Sequence, residues 1–474
     1  MESIYTHRFL ARLIIEAKTP LAVGSGDKDI TTDALVATDA NGLPYIPGTA
    51  IAGVVRHFIG EDNAKRFFGI QNKAKKSESK GSEIIFSNAK ILNSKSEVVE
   101  GLQSDVFDDP LLKHYKSLPI RQHVKINAKG TAKDKGKFDN QVCFAGTRFC
   151  FEIEMVAKPN EAKDFKTVLD AIKDKTFRIG GGTRKGCGEI TIVDLQEKDF
   201  DFEKGELEEY LKISSDLNSN CWDKDFKPYD ALSNRDWIEE TVKMKAQDFF
   251  LFGSGIGDED VDITPVKGSK VLWTKEKGEL KTDLVLIPAT SIKGALAHRT
   301  AYHWNRLNKI FIGGKYYKTV SGDNIVNPAV KVLFGYEENH EEDGKQIAVQ
   351  KRGNVLISDI IENSITKQNE NTQVHVAIDR FTGGAKSKSG ALFTEKNIFG
   401  EEMQPFEIRI LKDTKGIEKA AKEVVDDKRF PEPLKDGFLD KVNAAFEAAV
   451  SDLKKGLLPL GGGTSRGNGI FVES

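Results

Sequence analysis

Two glycine-rich stretches decide how this sequence divides. Residues 178–190 read RIGGGTRKGCGEI, and residues 459–470, near the end of the chain, read PLGGGTSRGNGI. Neither stretch is a P-loop, because no Gly-Lys-Ser/Thr closes it before a helix. Neither is a dinucleotide-binding loop, which needs a strand before its glycines and a helix after them. Here an amphipathic pattern precedes each stretch and an apolar run follows it, which predicts a helix before the glycines and a strand after them.

Five further motifs recur in the same order in both halves, and a collinear series of this kind indicates a tandem duplication. The paired motifs are GSG with an acidic loop (from Gly24 and Gly253), YIPGTAIAGVVRH (45–57) with LIPATSIKGALAH (286–298), RFFGIQ (66–71) with VLFGYE (332–337), SEIIFSNAKI (82–91) with GNVLISDIIE (353–362), and HVKIN (123–127) with HVAID (375–379). The spacing between motifs is longer in the second copy, so we expect its loops to be longer.

Each half predicts the order strand, helix, strands, helix, strand. RFLARLIIEA and IIFSNAKI have strand patterns, and TAIAGVVRHFIG predicts a helix capped by Thr49. Amphipathic helices precede both glycine loops, one carrying Phe165, Val168, Leu169 and Ile172 and the other Val442, Phe446, Ala449, Val450 and Leu453. The fold class is therefore predicted as α+β, with two tandem ferredoxin-like (RRM-like) domains. The predicted domains are residues 1–196 and 241–474, joined by a polar, acidic linker with a short helix over 197–240.

Bulk composition describes an ordinary soluble protein of two or three domains. Lys plus Arg number 70 and Asp plus Glu number 72, a net charge of −2, which argues against coating nucleic acid through overall positive charge. The four cysteines form no C-x-x-C pair and predict free thiols in a reducing cytoplasm. No stretch approaches the length of an apolar membrane span, so we expect a cytoplasmic protein without a membrane partner.

Three repeated features are suited to an RNA backbone. Backbone amides of the glycine loops would face outward as a phosphate nest, with Arg184, Lys185 and Arg466 adding charge; a tight turn that needs positive φ is the alternative. The helix starts at Thr49 and at Thr290/Ser291 offer free amides to an anion, with Lys293 in the first turn, and simple capping is the alternative. The loops after Asn127 and Asp379 are glycine-rich and basic, and the alternative is a solvated surface. Their cations are Lys129, Lys133, Lys135, Lys137, Arg380, Lys386 and Lys388.

The acidic loops after GSG contain the candidate metal ligands. The first has Asp27, Asp29 and Asp33, and the second has Asp258, Glu259, Asp260 and Asp262. Carboxylates at this density suit a hard cation or a ribose hydroxyl. Four histidines recur at matching places, but none has metal-ligand spacing, so they are interpreted as structural or partly buried: His57, His123, His298 and His375.

These motifs together resemble the RAMP superfamily, and within it the backbone subunits of type III CRISPR effector complexes of the Csm and Cmr type. The resemblance covers nearly the whole chain outside the linker and is most specific at IDRFTGGAKSKSGALF (378–393) and the glycine loops. Two such domains in one chain resemble the fused backbone subunits of type III-D complexes.

The resemblance implies a subunit that holds CRISPR RNA and assembles with a large polymerase-like subunit and other RAMP subunits. A thumb hairpin, here the basic loops after Asn127 and Asp379, would flip out nucleotides at intervals along the guide–target duplex. An Asp in the loop after the first strand would cut target RNA with a divalent metal, Mg²⁺ or Mn²⁺, leaving a 2′,3′-cyclic phosphate and a 5′-hydroxyl. Asp33 matches that position, and Asp262 is nearest in the second copy but one residue out of step, with Asp258 and Asp260 competing. The implied RNA-binding residues are Gly48, Thr49, Arg56, Asn127, Lys129, Gly181, Gly182, Arg184, Lys185, Thr290, Ser291, Lys293, Asp379, Arg380, Gly462, Gly463 and Arg466.

Two departures separate the copies: Ala52 stands where the second copy has Lys293, and Asn127 where it has Asp379. Three other functions stay open at this point. The first is a non-catalytic RNA scaffold. The second is a guide-processing endoribonuclease that uses His57 or His298 as its base, and the third is an enzyme acting on a small phosphorylated molecule.

Overall fold

A computed structural model describes residues 5–29, 32–70, 79–126, 132–219, 236–275, 277–321, 325–342, 345–362, 369–386, 392–401 and 403–474. The first half contains the strands β1 (His7–Ala17), β2 (Ile84–Phe86), β3 (Lys90–Ile91), β4 (Ile120–Ile126), β5 (Ala132–Gln141), β6 (Arg148–Ala157) and β7 (Ile190–Asp201). Its helices are α1 (Gly48–Ile59), α2 (Glu61–Phe67), α3 (Ala162–Lys173) and α4 (Leu207–Leu211).

The first half is a ferredoxin-like domain, as predicted. Its sheet has the antiparallel order β2-β6-β1-β7, with β3 beside β6, and α1 and α3 connect strands across one face. The predicted strand over IIFSNAKI is two short strands, interrupted between Phe86 and Lys90. The apolar positions of α3 that predicted an amphipathic helix, such as Phe165 and Leu169, are buried in the core together with Leu13 and Ile15 of β1.

The second half repeats the architecture with larger insertions, which confirms the expected longer loops. Its sheet has the order β14-β18-β8-β19, and α5 and α9 take the places of α1 and α3. The elements are β8 (Trp237–Ala246), β9 (Phe249–Phe250), β10 (Lys267–Trp273), β11 (Gly278–Ile287), α5 (Ala289–Leu307), α6 (Tyr317–Val320), α7 (Pro328–Phe334), β12 (Gly335–Glu342), β13 (Lys345–Arg352), β14 (Val355–Ile357), β15 (Ile360–Glu362), β16 (Glu370–Val376), β17 (Leu392–Phe399), β18 (Phe406–Asp413), α8 (Thr414–Asp426), α9 (Phe438–Lys454) and β19 (Phe471–Glu473).

Two strands extend into the predicted linker of residues 197–240. Strand β7 continues past residue 196 to Asp201, and β8 already begins at Trp237. The predicted short helix is α4, and its segment packs on the first domain, because the Tyr210 hydroxyl donates to Glu154 at 2.7 Å. The buried guanidinium of Arg12 likewise donates to the Ser219 carbonyl at 2.8 Å. Much of the predicted linker therefore covers the second face of the first sheet.

The two halves meet through strand β10, which reaches into the first domain. The Val271 amide donates to the Ala145 carbonyl at 2.8 Å, and the Trp273 indole donates to the Gly146 carbonyl at 2.7 Å. Gly146 has a φ of 79°, and a Cβ there would lie 2.0 Å from the Val271 carbonyl oxygen. Glycine at this position allows the close approach of the strand, and Val271 is part of the first domain's core.

Candidate nucleic-acid interface

Asp33 lies at the base of the hairpin formed by β4 and β5. Its side chain is exposed, and its Oδ2 atom accepts a hydrogen bond from the Asp139 amide at 3.0 Å. The next residue, Ala34, forms a parallel bridge with Asn140 of β5. The acidic loop of the first half is therefore attached to the returning strand of the hairpin.

Asp262 has the same position in the second half, on the hairpin formed by β16 and β17. Its exposed carboxylate accepts hydrogen bonds from the Thr394 amide at 2.8 Å and the Thr394 hydroxyl at 2.9 Å. Ile263 forms a parallel bridge with Glu395, as Ala34 does with Asn140. The bonds from Thr394 lower the pKa of Asp262, so this carboxylate is ionised at neutral pH. The structure thus matches Asp262 with Asp33 although the sequence motifs are out of step by one residue.

The two competing carboxylates of the second acidic loop have different surroundings. Asp258 forms an ion pair with Lys396 at 2.9 Å and accepts hydrogen bonds from the amides of Asp260 and Val261. The Lys396 ammonium lowers the pKa of Asp258. Asp260 is exposed. Asp258 therefore shapes its own loop and pairs with a side chain of β17, whereas Asp262 is the carboxylate that contacts the backbone of the hairpin.

Asp379 closes the turn that follows β16 in the second hairpin. In the second half, the Asp379 Oδ1 atom accepts hydrogen bonds from the amides of Phe381 and Thr382 at 3.0 and 2.9 Å. Asp379 was expected to bind RNA, but this oxygen closes the turn and is occupied there. Arg380, Lys386 and Lys137 are exposed, as a nucleic-acid contact requires. Asn127, Lys129 and Lys388, and the side chains of Lys133 and Lys135, lie outside the described residues.

The glycine loops share one backbone conformation. Gly180, Gly182, Gly186 and Gly188 have φ of 85°, 68°, 100° and 87°, and Gly461, Gly463, Gly467 and Gly469 have φ of 89°, 67°, 94° and 80°. The Gly181 amide donates inward to Ala22 and the Gly462 amide to Leu251, both at 2.7 Å. The prediction of outward-facing amides is wrong at these two positions. The repeated glycines serve the positive φ of a tight turn.

A basic residue of each glycine loop contacts the hairpin base. The Lys185 ammonium lies 4.1 Å from the centroid of the Phe138 ring, and the Arg466 guanidinium donates to Glu395 at 2.7 Å. Glycine loop, hairpin base and acidic loop therefore form one continuous surface in each half. We call it the hairpin-base site: Asp33, Phe138, Asp139 and Lys185 in the first half, and Asp262, Phe393, Thr394, Glu395 and Arg466 in the second.

The helix starts are capped by a neighbouring loop. Helix α1 begins at Gly48, whose amide donates to the Asn88 side chain at 2.9 Å, and the Ala289 amide of α5 donates to Asp359 at 2.8 Å. Thr49 was expected to be the cap, but it lies inside the first turn, as Thr290 and Ser291 do in α5. Arg56 lies at the other end of α1, where it is 3.7 Å from Glu61.

The histidines divide into two groups. His123 stacks on Phe138 at 4.9 Å, and burial together with Arg121 and Lys185 lowers its pKa to about 4. His375 contacts Glu395 at 3.1 Å. His57 and His298 are exposed, contrary to expectation.

The first glycine loop also meets the helix start of the second half, and this joint collects cations. The Lys293 ammonium donates to the Arg184 carbonyl at 3.2 Å, and the Arg184 Nε donates to the Gly353 carbonyl at 2.8 Å. The Arg184 Nη1 atom is buried without a hydrogen-bond partner. Burial and the neighbouring cations lower the pKa of Lys293 to about 8 and that of Arg184 to about 9. We call Arg184, Lys185 and Lys293 the joint cluster; it has the chemistry of an anion site.

The family comparison matches this duplicated geometry. The model of the RAMP superfamily matches residues 14–191 and again residues 243–472, well over half of the sequence. The chain belongs to the RAMP superfamily. Each match contains most of one ferredoxin-like domain, the hairpin of one hairpin-base site and one glycine loop, so the chain is two fused RAMP domains. Membership indicates a CRISPR-associated, RNA-binding subunit. No curated protein matches the sequence.

Two observations bear on ligands and surroundings of the RAMP domains. In the part of the chain that the structure describes, no group of three or more His, Cys, Asp or Glu side chains is placed to hold a metal ion. Among the same residues, no helix is long and apolar enough to cross a membrane.

Several residues of the RAMP joint were missed at the level of sequence. Asp359 is fully buried and forms an ion pair with Arg121 of the first domain at 3.0 Å. Glu189 is buried as well and contacts Arg178 at 3.3 Å, with Ser358 and Arg409 as further partners. The repeat contained one signal, because Asn88 and Asp359 occupy the same place in the aligned SEIIFSNAKI and GNVLISDIIE motifs.

Proposed function

We propose that the chain is a fused backbone subunit of a type III CRISPR effector complex that holds CRISPR RNA and cleaves complementary target RNA. The observation that carries this proposal is the equivalence of the two hairpin-base sites, where Asp33 and Asp262 make matching contacts to the returning strand. An exposed carboxylate at the same place in both copies supports one cleavage site in each half. The proposed partners are CRISPR RNA, target RNA, a large polymerase-like subunit and other RAMP subunits.

The joint cluster supports the guide-binding part of the proposal. Burial, Arg184 and Lys185 lower the pKa of Lys293, and no carboxylate stands among the main causes of this shift. A phosphate would relieve the repulsion and accept a hydrogen bond from Arg184 Nη1. The guide backbone therefore has a binding place between the two domains, and the net charge of −2 is compatible with a local cationic site.

The proposed cleavage is an internal transesterification. The ribose 2′-oxygen attacks the adjacent phosphorus, the P–O5′ bond breaks, and the products are a 2′,3′-cyclic phosphate and a 5′-hydroxyl. A flipped nucleotide would bring the 2′-oxygen in line with the leaving oxygen. Asp33 would either accept the 2′ proton or orient a divalent cation; the leaving 5′-oxygen takes a proton from solvent.

The residues of the first hairpin-base site fit a Mg²⁺ or Mn²⁺ ion that also binds RNA. Mg²⁺ is commonly held by one or two carboxylates together with substrate phosphates. Asp33 is exposed, and Asp139, whose amide contacts it, has a buried Oδ1 atom without a hydrogen-bond partner. In the second site Thr394 takes the place of Asp139, and the further carboxylate, Glu395, is engaged by Arg466 and His375. A bound cation would neutralise charge on the scissile phosphate.

A scaffold without catalytic activity is the second candidate, favoured by the lack of a three-ligand cluster among the described residues. The two functions are separated by assembling the complex with its guide and incubating it with complementary RNA and Mg²⁺ or Mn²⁺. The proposal expects discrete cuts that carry cyclic phosphate ends and disappear with EDTA. Stable target binding without any cut would establish the scaffold.

A further inference from the structure

An insertion of the second domain presents two neighbouring apolar side chains to solvent. Helix α1 ends at Ile59 after 12 residues, whereas its counterpart α5 continues for 19 residues to Leu307, and residues 308–327 then precede α7. Phe311 and Ile312 of this insertion are 66% and 87% exposed. The first domain builds its ferredoxin-like core without such an insertion, so the fold does not require it. Adjacent large apolar side chains in water are typical of a binding surface.

The backbone holds these two side chains in place. The Ile310 amide donates to the Asn305 carbonyl at 2.9 Å, which closes the end of α5, and the Gly314 amide donates to the Phe311 carbonyl at 2.9 Å, which closes the next turn. Ile310 and Val320 are buried in the core of the second domain. The segment between them is thus anchored at both ends, and it presents its apolar side chains at little cost in backbone entropy on binding.

Four cations flank the apolar pair along the chain. Residues 306–318 contain no Asp or Glu, although the whole chain has a net charge of −2. The four are exposed, and none of them forms an ion pair with another described residue: Arg306, Lys309, Lys315 and Lys318. Lys309 has a φ of 52°, a left-handed conformation that costs a lysine free energy and a glycine almost none. The backbone alone would therefore favour glycine, and the charge of Lys309 needs another explanation.

The position and the composition of this segment favour a protein ligand over the guide RNA. Lys293 of the joint cluster lies near the start of α5, and the segment follows the end of the helix, about 20 Å away at 1.5 Å per residue. Ile312, the more exposed of the pair, has an aliphatic side chain without a face for base stacking. An apolar centre with a polar rim is the arrangement of protein–protein interfaces. The unpaired cations select a partner that carries carboxylates at its own rim.

We propose that this segment docks an acidic stretch of another protein subunit, which places an apolar side chain against Phe311 and Ile312 and carboxylates opposite the cations. The insertion patch consists of Arg306, Lys309, Phe311, Ile312, Lys315 and Lys318. The inference rests on the proposed function, because the other subunits belong to the proposed complex. It deepens that function by assigning one surface of the second domain to protein instead of RNA.

The test assembles the full chain with guide RNA, the large polymerase-like subunit and the other RAMP subunits of the proposed complex. The variants are Phe311→Ser/Ile312→Ser and, as a matched control, Leu102→Ser, since Leu102 of the first domain is 79% exposed. Subunits retained by the tagged chain are quantified over a titration, and hydrogen–deuterium exchange of residues 306–318 is compared between the free and the assembled chain. We expect slower exchange on assembly, and about 30-fold weaker retention of one protein subunit in the double variant, the size of an interface hot spot.

A charge-reversal variant tests the rim separately. Lys309→Glu/Lys318→Glu should weaken the retention of the same subunit and make it less sensitive to added salt. Leu102→Ser should retain every subunit like the wild type. Because the substituted side chains are exposed, all variants should keep the wild-type unfolding midpoint, so that a lost subunit does not reflect misfolding.

Each remaining outcome overturns the inference in a recognisable way. Unchanged exchange of residues 306–318 on assembly, or a double variant Phe311→Ser/Ile312→Ser that keeps every subunit, would overturn it and leave the proposed function intact. Loss of the guide RNA instead of a protein subunit would assign the patch to RNA. A dimer of the free chain that disappears in the double variant, measured by sedimentation velocity, would assign it to a second copy. A wild-type chain that assembles with neither guide nor subunits would contradict the proposed function as well.

Discussion

The two glycine loops have the same backbone and opposite surroundings. Gly186 and Gly467 have φ of 100° and 94°. A Cβ on Gly186 would lie 2.4 Å from Asp359 and 2.6 Å from Ala289, whereas a Cβ on Gly467 would meet nothing within 4 Å. The first loop is thus enclosed in the joint with the second domain, while the second loop is open. The two copies therefore share one turn, and the first copy additionally forms part of the joint.

The enclosure of the first glycine loop also shows which contacts join the two RAMP domains. The first loop contacts the start of α5 and the Asp359 cap, and the corresponding start of α1 is capped by Asn88 without a buried ion pair. The joint is therefore specific to this order of the domains. Matched substitutions in the two halves can separate the contribution of the turn itself from that of the joint.

The largest expected effect on stability is that of Asp359→Ala. It removes the cap of α5 and leaves the buried Arg121 guanidinium unpaired, for which we expect a loss of about 3–5 kcal/mol in the free energy of unfolding. Asn88→Ala removes only the cap of α1 and should cost about 1 kcal/mol. Urea unfolding followed by circular dichroism measures both. Equal losses would show that the buried ion pair adds nothing to the joint.

Substituting the matched glycines isolates the enclosure of the first loop. Gly186→Ala and Gly467→Ala both place a side chain at positive φ, which costs about 1–2 kcal/mol. Gly186→Ala also forces Asp359 and Ala289 apart, and we expect it to cost about 1–3 kcal/mol more. The difference between the two unfolding midpoints reports this extra term. A Gly467→Ala variant as unstable as Gly186→Ala would contradict an open second loop.

The joint cluster predicts that guide binding depends on pH. The pKa of Lys293 is about 8 in the free protein, so its charge is present below that value and is lost as the pH rises through it. RNA affinity should therefore fall between pH 7 and pH 9, with the bound phosphate moving the midpoint upward. Lys293→Ala should weaken binding by roughly tenfold and lower the salt dependence by about one phosphate contact.

Lys293→Arg is the control for this experiment, because the ordinary pKa of an arginine side chain lies well above that of lysine. Its binding should depend less on pH than that of the wild type. An unchanged pH profile in Lys293→Ala would assign the titration to another group.

The sequence predicted the two ferredoxin-like domains well, but it predicted almost none of the contacts that join them. The alternation in β1, the amphipathic α3 and α9 and the repeated turns are local signals, and local signals suffice for two ferredoxin-like domains. The helix caps were assigned to Thr49 and Thr290/Ser291, yet Asn88 and Asp359 make them from 40 and 70 residues further along the chain. The ion pair of Arg121 with Asp359 joins residues of different domains, and no periodicity within either domain indicates it.

The candidate site was predicted in part. Asp33 and Asp262 were named from their motifs, but only the parallel bridges to β5 and β17 establish that they are equivalent. Asp139 was not predicted as part of the site, because it lies on the returning strand of a hairpin in a stretch whose lysines were the candidates. The inward direction of the Gly181 and Gly462 amides depends on the Ala22 and Leu251 carbonyls in the segments after β1 and β8, which the loop sequence does not reveal.

The most direct test of the two-site account maps target-RNA cuts in complexes assembled with wild-type chain, Asp33→Ala, Asp262→Ala and, as a control, Asp258→Ala. We expect each of the first two variants to lose one distinct cut by about a hundredfold or more, the range for a lost general base, while the other cut remains. Asp258→Ala should keep both cuts, because that carboxylate is paired with Lys396. Retention of every cut in both Asp33→Ala and Asp262→Ala would contradict the account and establish the chain as an RNA-holding scaffold.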